Sequence, residues 1–177
     1  DGYFFKYGIK HEPNSFLMAI AAVLELSIDD IISKIVSVLT KDKNDMLFTA
    51  LNNGDVRMQF GNRTKYIKYL KDVENVDPSM VGHIISIPGV LSENGMNIIT
   101  FIKTTKKKFD GSVIDDCILK CHNSEENTNI TDEKRHNILM YSENNNYYPI
   151  YNVTKKSKTE KSIDIQKIFN YDTSSTN

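Results

Sequence analysis

Apolar positions recur at helical spacing through the first half of the chain and at a two-residue alternation through much of the second. From Phe16 to Leu24 the run is almost wholly apolar. Asn14 or Ser15 stands just before it, where a side-chain oxygen caps the first free N–H groups of a helix. Ser27 and Asp30 have the spacing of a capping box. Behind them Ile28, Ile31, Ile32, Ile35, Val36 and Leu39 fall on one helical face, which is therefore core. "NDMLFTALNNG" predicts a third helix stopped at Gly54. "RTKYIKYLKD" predicts a fourth, with Tyr66, Ile67, Tyr69 and Leu70 turned inward and the lysines in water. Asp77 as cap and Pro78 at the first helical position open a fifth, which runs to Pro88-Gly89.

Beyond that point the period changes. "MNIITFIK", residues 96–103, is β-branched and short, as a buried strand is; "KKKFDG" turns it and "SVIDDCILKC" supplies a second strand. "NILMYSE" and "YYPIYNV" flank "NNN", a hairpin turn, because Asn tolerates left-handed dihedrals. Residues 2–9 alternate weakly and predict a short edge strand, and "HNSEENTNITDEKRH" reads as a long surface loop. The expected fold is α+β, with N-terminal helices packed on a small, mainly antiparallel sheet. One domain is expected over residues 1–153. Residues 154–177 then form a linker ("KKSKTEK"), a short closing helix ("SIDIQKIFNY") and a tail.

Length and composition narrow the chemistry. A chain of 177 residues that is 40% hydrophobic is large enough for one domain with a real core. Net charge is −1 with no strongly basic half, so a broad footprint for duplex DNA is excluded, while DNA contact through a local patch stays open. No apolar run approaches the ~20 residues of a membrane span, so no membrane partner is expected. No signal peptide is visible, and a chain starting at Asp1 rather than Met reads as a piece of a larger protein. Its richness in Asn, Lys and Ile suggests an AT-rich genome. On one strand Cys117 and Cys121 would lie ~13 Å apart, too far for a disulfide. Joining them to His122 and His136 around zinc would break the strand, so no metal or cofactor is expected. No phosphate-binding glycine loop is present.

One stretch points to chemistry. In "HEPNSFLMAIAAVLEL" Ser15 falls at a helix N-terminus, where papain-like proteases hold a nucleophilic cysteine in the positive end of the helix dipole. An alcohol gains far less there than a thiol and needs a well-placed base. The last hairpin, where that base belongs, carries Tyr147 and Tyr148, and a phenol of pKa about 10 is a poor base near neutrality. Ser15 is thus read first as a helix cap, with His11 or His136 as the base of a rival serine mechanism. Lys106, Lys107 and Lys108 form a basic cluster that reads first as a solvated turn and second as a contact for phosphate or an acidic partner.

"PNSFLMAIAAVL" resembles the helix start of OTU-type (ovarian-tumour) deubiquitinases, whose motif is D-G-N-C-L-F: Asn14 and Ser15 match its Asn and catalytic Cys, and Phe16-Leu17 its Leu-Phe. "IPGVLSENGMNIITFI" is similar to the family's W-G-x-x-x-E-L segment and central strand, with Pro88-Gly89 in place of Trp-Gly. "HNILMYSENNNYYPIYNV" is similar to its closing hairpin, whose His-Tyr pair falls on Tyr147-Tyr148. The resemblance covers about residues 11–153 and implies an OTU/papain-like fold with a degenerate site, Ser15 and Tyr147 occupying the nucleophile and base positions. "GIKHEPNSFLMAIA", "LFTALNNGDVRMQFG", "PGVLSENGMNIITF" and "YYPIYNV" also resemble, in this order, a segment of large proteins of nucleocytoplasmic large DNA viruses, those of the early transcription factor large subunit type. That likeness implies a non-catalytic protein-interaction domain of a viral transcription-initiation factor, working in the virion or the cytoplasmic viral factory. Its expected contact residues are Asn14, Ser15, Tyr147, Tyr148, Tyr151, Lys106, Lys107 and Lys108. The alternatives are a hydrolase using Ser15 and a pseudoenzyme that still binds ubiquitin.

Overall fold

Five short polar signals start or stop the helical half. In the computed structural model, which describes residues 2–9, 14–122, 134–155 and 163–170, the Asn14 side chain accepts the Leu17 N–H and starts α1 (Ser15–Leu24). Glu25 closes it in a left-handed conformation. The Ser27/Asp30 capping box forms in full and opens α2 (Ile28–Lys41). Asn62 caps α5 (Arg63–Lys71), and Asp77 with Pro78 starts α6 (Pro78–Ser86).

The expected third helix stops early, at Ala50, and a helix that was not expected follows it. Residues α3 (Met46–Ala50) and α4 (Asp55–Phe60) are separated by a tight turn over Leu51–Gly54, in which Asn52 and Asn53 have φ of 48° and 53°. The left-handed pair costs little because both residues are Asn. It is fixed from outside, since the Asn52 N–H donates to Nδ1 of His83 on α6 at 2.8 Å. Gly54 lies in this turn, followed by α4 rather than by a loop.

The second half supplies a six-stranded sheet. Its strands are β1 (Gly2–Lys6), β2 (Met96–Lys107), β3 (Val113–Cys121), β4 (His136–Glu143), β5 (Asn146–Lys155) and β6 (Ile163–Gln166). The order is β1-β5-β4-β2-β3, with β6 also on β5. All pairs are antiparallel except β2 with β4. The predicted hairpin turn forms between β4 and β5 and takes two residues, Asn144 and Asn145, with φ of 52° and 61°, while Asn146 already belongs to β5.

The closing helix predicted in "SIDIQKIFNY" is a strand, β6. Ile163 and Ile165 alternate with Asp164 and Gln166, a period of two that outweighs helical propensity once the second half of β5 offers an unpaired edge. Residues 163–170 therefore belong to the sheet: Phe169 bridges Asn137, and Lys167 pairs with Glu25 at 2.6 Å. Of the predicted linker "KKSKTEK" Lys155 ends β5 and the rest lies outside the described residues, as do residues 123–133 of the predicted loop, the tail beyond 170 and His11.

The core lies between the helices and one face of the sheet. Phe16, Leu17 and Ile20 of α1, Ile31, Ile35 and Leu39 of α2, Ile84 and Ile85 of α6, and Met96, Ile98, Ile138 and Met140 of the sheet are buried together. Each such side chain contributes about 1.5–3 kcal/mol on burial. The architecture is α+β as expected.

Candidate functional site

Ser15 is the first residue of α1 and is almost fully buried. Its Oγ accepts the backbone N–H of Tyr147 at 3.0 Å. Tyr147 is the second residue of β5, just past the Asn144-Asn145 turn, so the turn sets where that N–H points. The Tyr147 ring meets Phe16 edge-on at 5.2 Å between centroids. Asn14 holds the other side. Its Oδ1 takes the Leu17 N–H, while its Nδ2 donates to the carbonyls of Val73 and Val76 at 2.8 and 2.9 Å. One buried amide thus caps α1 and ties down the segment that leads into α6. A cleft of about 470 Å³ opens here, lined by Asn14, Ser15, Asp77, Asn145 and Tyr147 among others.

Among the described residues the site gives Ser15 positive polarisation but no base. The α1 dipole places partial positive charge at Ser15. The Tyr147 N–H donated to Oγ adds to it, yet among the described residues no imidazole or carboxylate is bonded to the hydroxyl to take its proton. Asp77 faces the cleft, but its Oδ1 accepts both the N–H and the hydroxyl of Ser79 at 2.7 Å as the α6 cap. Burial first, and the Asp77 charge second, push the Tyr147 phenol above its ordinary value, against a hydrogen bond with Ser142. It stays protonated at neutral pH and cannot take the Ser15 proton.

An imidazole that was not expected near the site lies behind it. His122 continues the β2–β3 ladder, its N–H donating to Ile98 O at 3.0 Å, and its side chain is 6% exposed. The ring is 5.0 Å from Phe16 and 6.2 Å from Tyr147, with Nε2 3.0 Å from Thr100 Oγ1. Nδ1 has no hydrogen-bond partner among the described residues. Burial, helped by Lys120 and opposed by Asp77, pulls its pKa down to about 4. The clue in the sequence is alternation along β3, which puts residue 122 on the same face as Thr100 and Ile98.

Gly82 on α6 makes room for this ring. A Cβ there would sit 2.7 Å from His122 Cβ and 3.0 Å from its carbonyl oxygen. Alanine at this helical position would gain about 1 kcal/mol of propensity, while overpacking against a Cβ and a main-chain oxygen costs about 1–3 kcal/mol. Packing decides the sign. Gly82→Ala should lower stability by about 1 kcal/mol, read as a fall in the urea midpoint at unchanged slope.

The other expected contact residues separate. Tyr148 points to the opposite face of the sheet, where Lys6 Nζ lies 4.5 Å from its ring centroid. Tyr151 returns to the inner face and is 3% exposed, stacked on Tyr7 at 5.1 Å and edge-on to Phe5, with its phenol pushed up to about 12 by burial. The Tyr147–Tyr151 hairpin is therefore not one contact surface. Lys106 and Lys107 end β2 at the far tip of its hairpin with β3, and Lys108 begins the turn. Lys106 approaches Asp116 at 3.9 Å. His136 opens β4 opposite Met96, at the other end of that strand from the turn beside Ser15. Cys117 and Cys121 lie on β3 and are not joined by a disulfide. Among the described residues no group of three or more His, Cys, Asp or Glu could hold a metal.

No family model matches the chain. An uncharacterized protein of Acanthamoeba polyphaga mimivirus is 39% identical to it over 180 residues, an alignment covering 99% of this chain. The chain spans only 11% of the length of that viral relative. No described helix is long and apolar enough to cross a membrane.

Proposed function

We propose that this chain is a non-catalytic, protein-binding domain of OTU-type architecture within a much larger giant-virus protein, and that it serves early transcription initiation. The observation that carries this reading is the Tyr147 N–H on Ser15 Oγ. It brings together the two positions that resemble the family's cysteine and histidine, with an alcohol and a phenol where a thiol and an imidazole would be. That supports a scaffold that has kept its geometry and lost its chemistry, since function belongs to sites rather than folds. The large viral relative fits a domain working inside an assembly. Mixed with purified viral early transcription factor and RNA polymerase, the chain should co-sediment with them. A chain that sediments alone and cleaves a ubiquitin ester contradicts the reading.

The cleft beside Ser15 favours a second reading. At about 470 Å³ it has the size of a ligand site and borders the position that resembles the family's nucleophile. A pseudoenzyme that still binds ubiquitin would use it. Titration of isotope-labelled ubiquitin should then shift its resonances at submillimolar chain. No shift at millimolar concentration removes this reading.

A further inference from the structure

Strand β3 is nine residues long, and among the described residues it is paired on one side only, by β2. It is exposed on both faces: Val113, Ile118 and Leu119 are 63%, 54% and 58% accessible. An unpaired edge of this length is a template for another strand, and proteins blunt it with proline, a bulge, charged side chains or a cover. Among the described residues β3 has no proline, bulge or cover, and its charges, Asp115, Asp116 and Lys120, are what a pairing strand must match.

The hydrogen-bond pattern shows which groups face β2. Bonds from Lys108 N–H to Ser112 O and from His122 N–H to Ile98 O bracket the ladder. Even-numbered residues of β3 therefore face β2, and Val113, Asp115, Cys117 and Leu119 turn N–H and C=O outward. In agreement, the Cys117 N–H is taken by the neighbouring Asp116 carboxylate at 2.9 Å, not by β2. Ile118 lies beside Ile102, and Asp116 beside Thr104, on one face. Leu119 lies beside Phe101, and Cys117 beside Lys103, on the other.

We infer that β3 pairs antiparallel with β3 of a second copy of this chain, about a two-fold axis through Ile118, giving one continuous sheet across the dimer. A two-fold normal to the sheet requires opposed residues to share a face, so only registers centred on a residue are allowed. Centring on Ile118 sets the two Ile118 side chains against each other. Asp116 then falls opposite the partner's Lys120, twice by symmetry, and Cys117 opposite the partner's Leu119. The outward backbone groups of residues 117 and 119 become mutual donors and acceptors. Centring on Cys117 instead would set Asp116 against the partner's Ile118 and Asp115 against the partner's Leu119, a carboxylate on an aliphatic chain each time. Charge selects the first register. The charges it uses are weakly held in the single chain: Asp116 lies 3.9 Å from a Lys106 that is 72% exposed, whereas Asp115 already faces Lys103 at 3.5 Å.

Sedimentation equilibrium of the 177-residue chain tests the pairing. A reversible dimer is expected. Asp116→Lys and Lys120→Asp should each weaken it at least about tenfold, because each turns two opposite-charge pairs into like-charge pairs. The double variant Asp116→Lys/Lys120→Asp should restore it. These side chains are exposed, and circular dichroism will show that each variant is folded. Register is read by cross-linking. With both native cysteines changed to serine, Ile118→Cys should give a disulfide-linked dimer under mild oxidation, since directly opposed residues of this type lie about 4.5 Å apart at Cα. Native Cys117, opposite a leucine, should not. A chain that stays monomeric at submillimolar concentration overturns the inference. So does a dimer indifferent to both charge reversals, or one that cross-links through Cys117.

Discussion

Asn14→Ala should lower unfolding free energy by about 3 kcal/mol. The N-cap oxygen alone is worth about 1 kcal/mol, and two buried carbonyls left without their donor cost about 1 kcal/mol or more each. Asn14→Asp separates the two roles. A carboxylate still accepts the Leu17 N–H but has nothing to donate, and it would face the Val73 and Val76 oxygens with negative charge. Chemical denaturation should therefore place the aspartate variant no higher than the alanine one. Recovery of wild-type stability by aspartate would show that Asn14 is only a cap.

Acid should weaken the protein through His122. Unfolded, the imidazole binds a proton near its ordinary 6.5; folded, it does so only near 4, because the buried ring is desolvated and Lys120 repels the charge more than Asp77 attracts it. Between these values the unfolded chain binds more protons, so stability falls as pH is lowered through the window and levels off below it. The full difference is about 3 kcal/mol. Carboxylates held low by their partners, such as Asp30 beside Ser27 and Glu143 beside Lys103, lose stability in acid as well. The comparison that isolates the imidazole is wild type against His122→Gln. The wild type should lose about 3 kcal/mol more than the variant between pH 6.5 and 4. Equal losses would mean that the ring is solvated or partnered.

Helices whose ends are set by local side chains were legible in the sequence. Asn14, the Ser27/Asp30 pair and Asp77-Pro78 all cap where their spacing places them, because a cap needs only residues within one turn. The break after Ala50 was not legible, because the left-handed turn at Asn52 is held by His83, which is distant along the chain. Strand β6 was misread as helix although its alternation was visible: the choice depended on an open length of β5, a tertiary fact. The site divides in the same way. Ser15 at a helix start and a tyrosine past an Asn-rich turn could be read directly. That Tyr147 reaches Ser15 through its main chain, that Tyr148 faces away from the cleft, and that Asn14 clamps the segment before α6 depend on how sheet and helices dock. His122 was hidden because its burial needs the gap left by Gly82.

The central proposal is that Ser15, whose hydroxyl has no base bonded to it among the described residues, is not a nucleophile. Intact-mass spectrometry after incubation with a fluorophosphonate tests it most directly. The account predicts no adduct across the neutral pH range, for the wild type and for Ser15→Ala alike. A single stoichiometric adduct that maps to Ser15 and disappears in Ser15→Ala would contradict it.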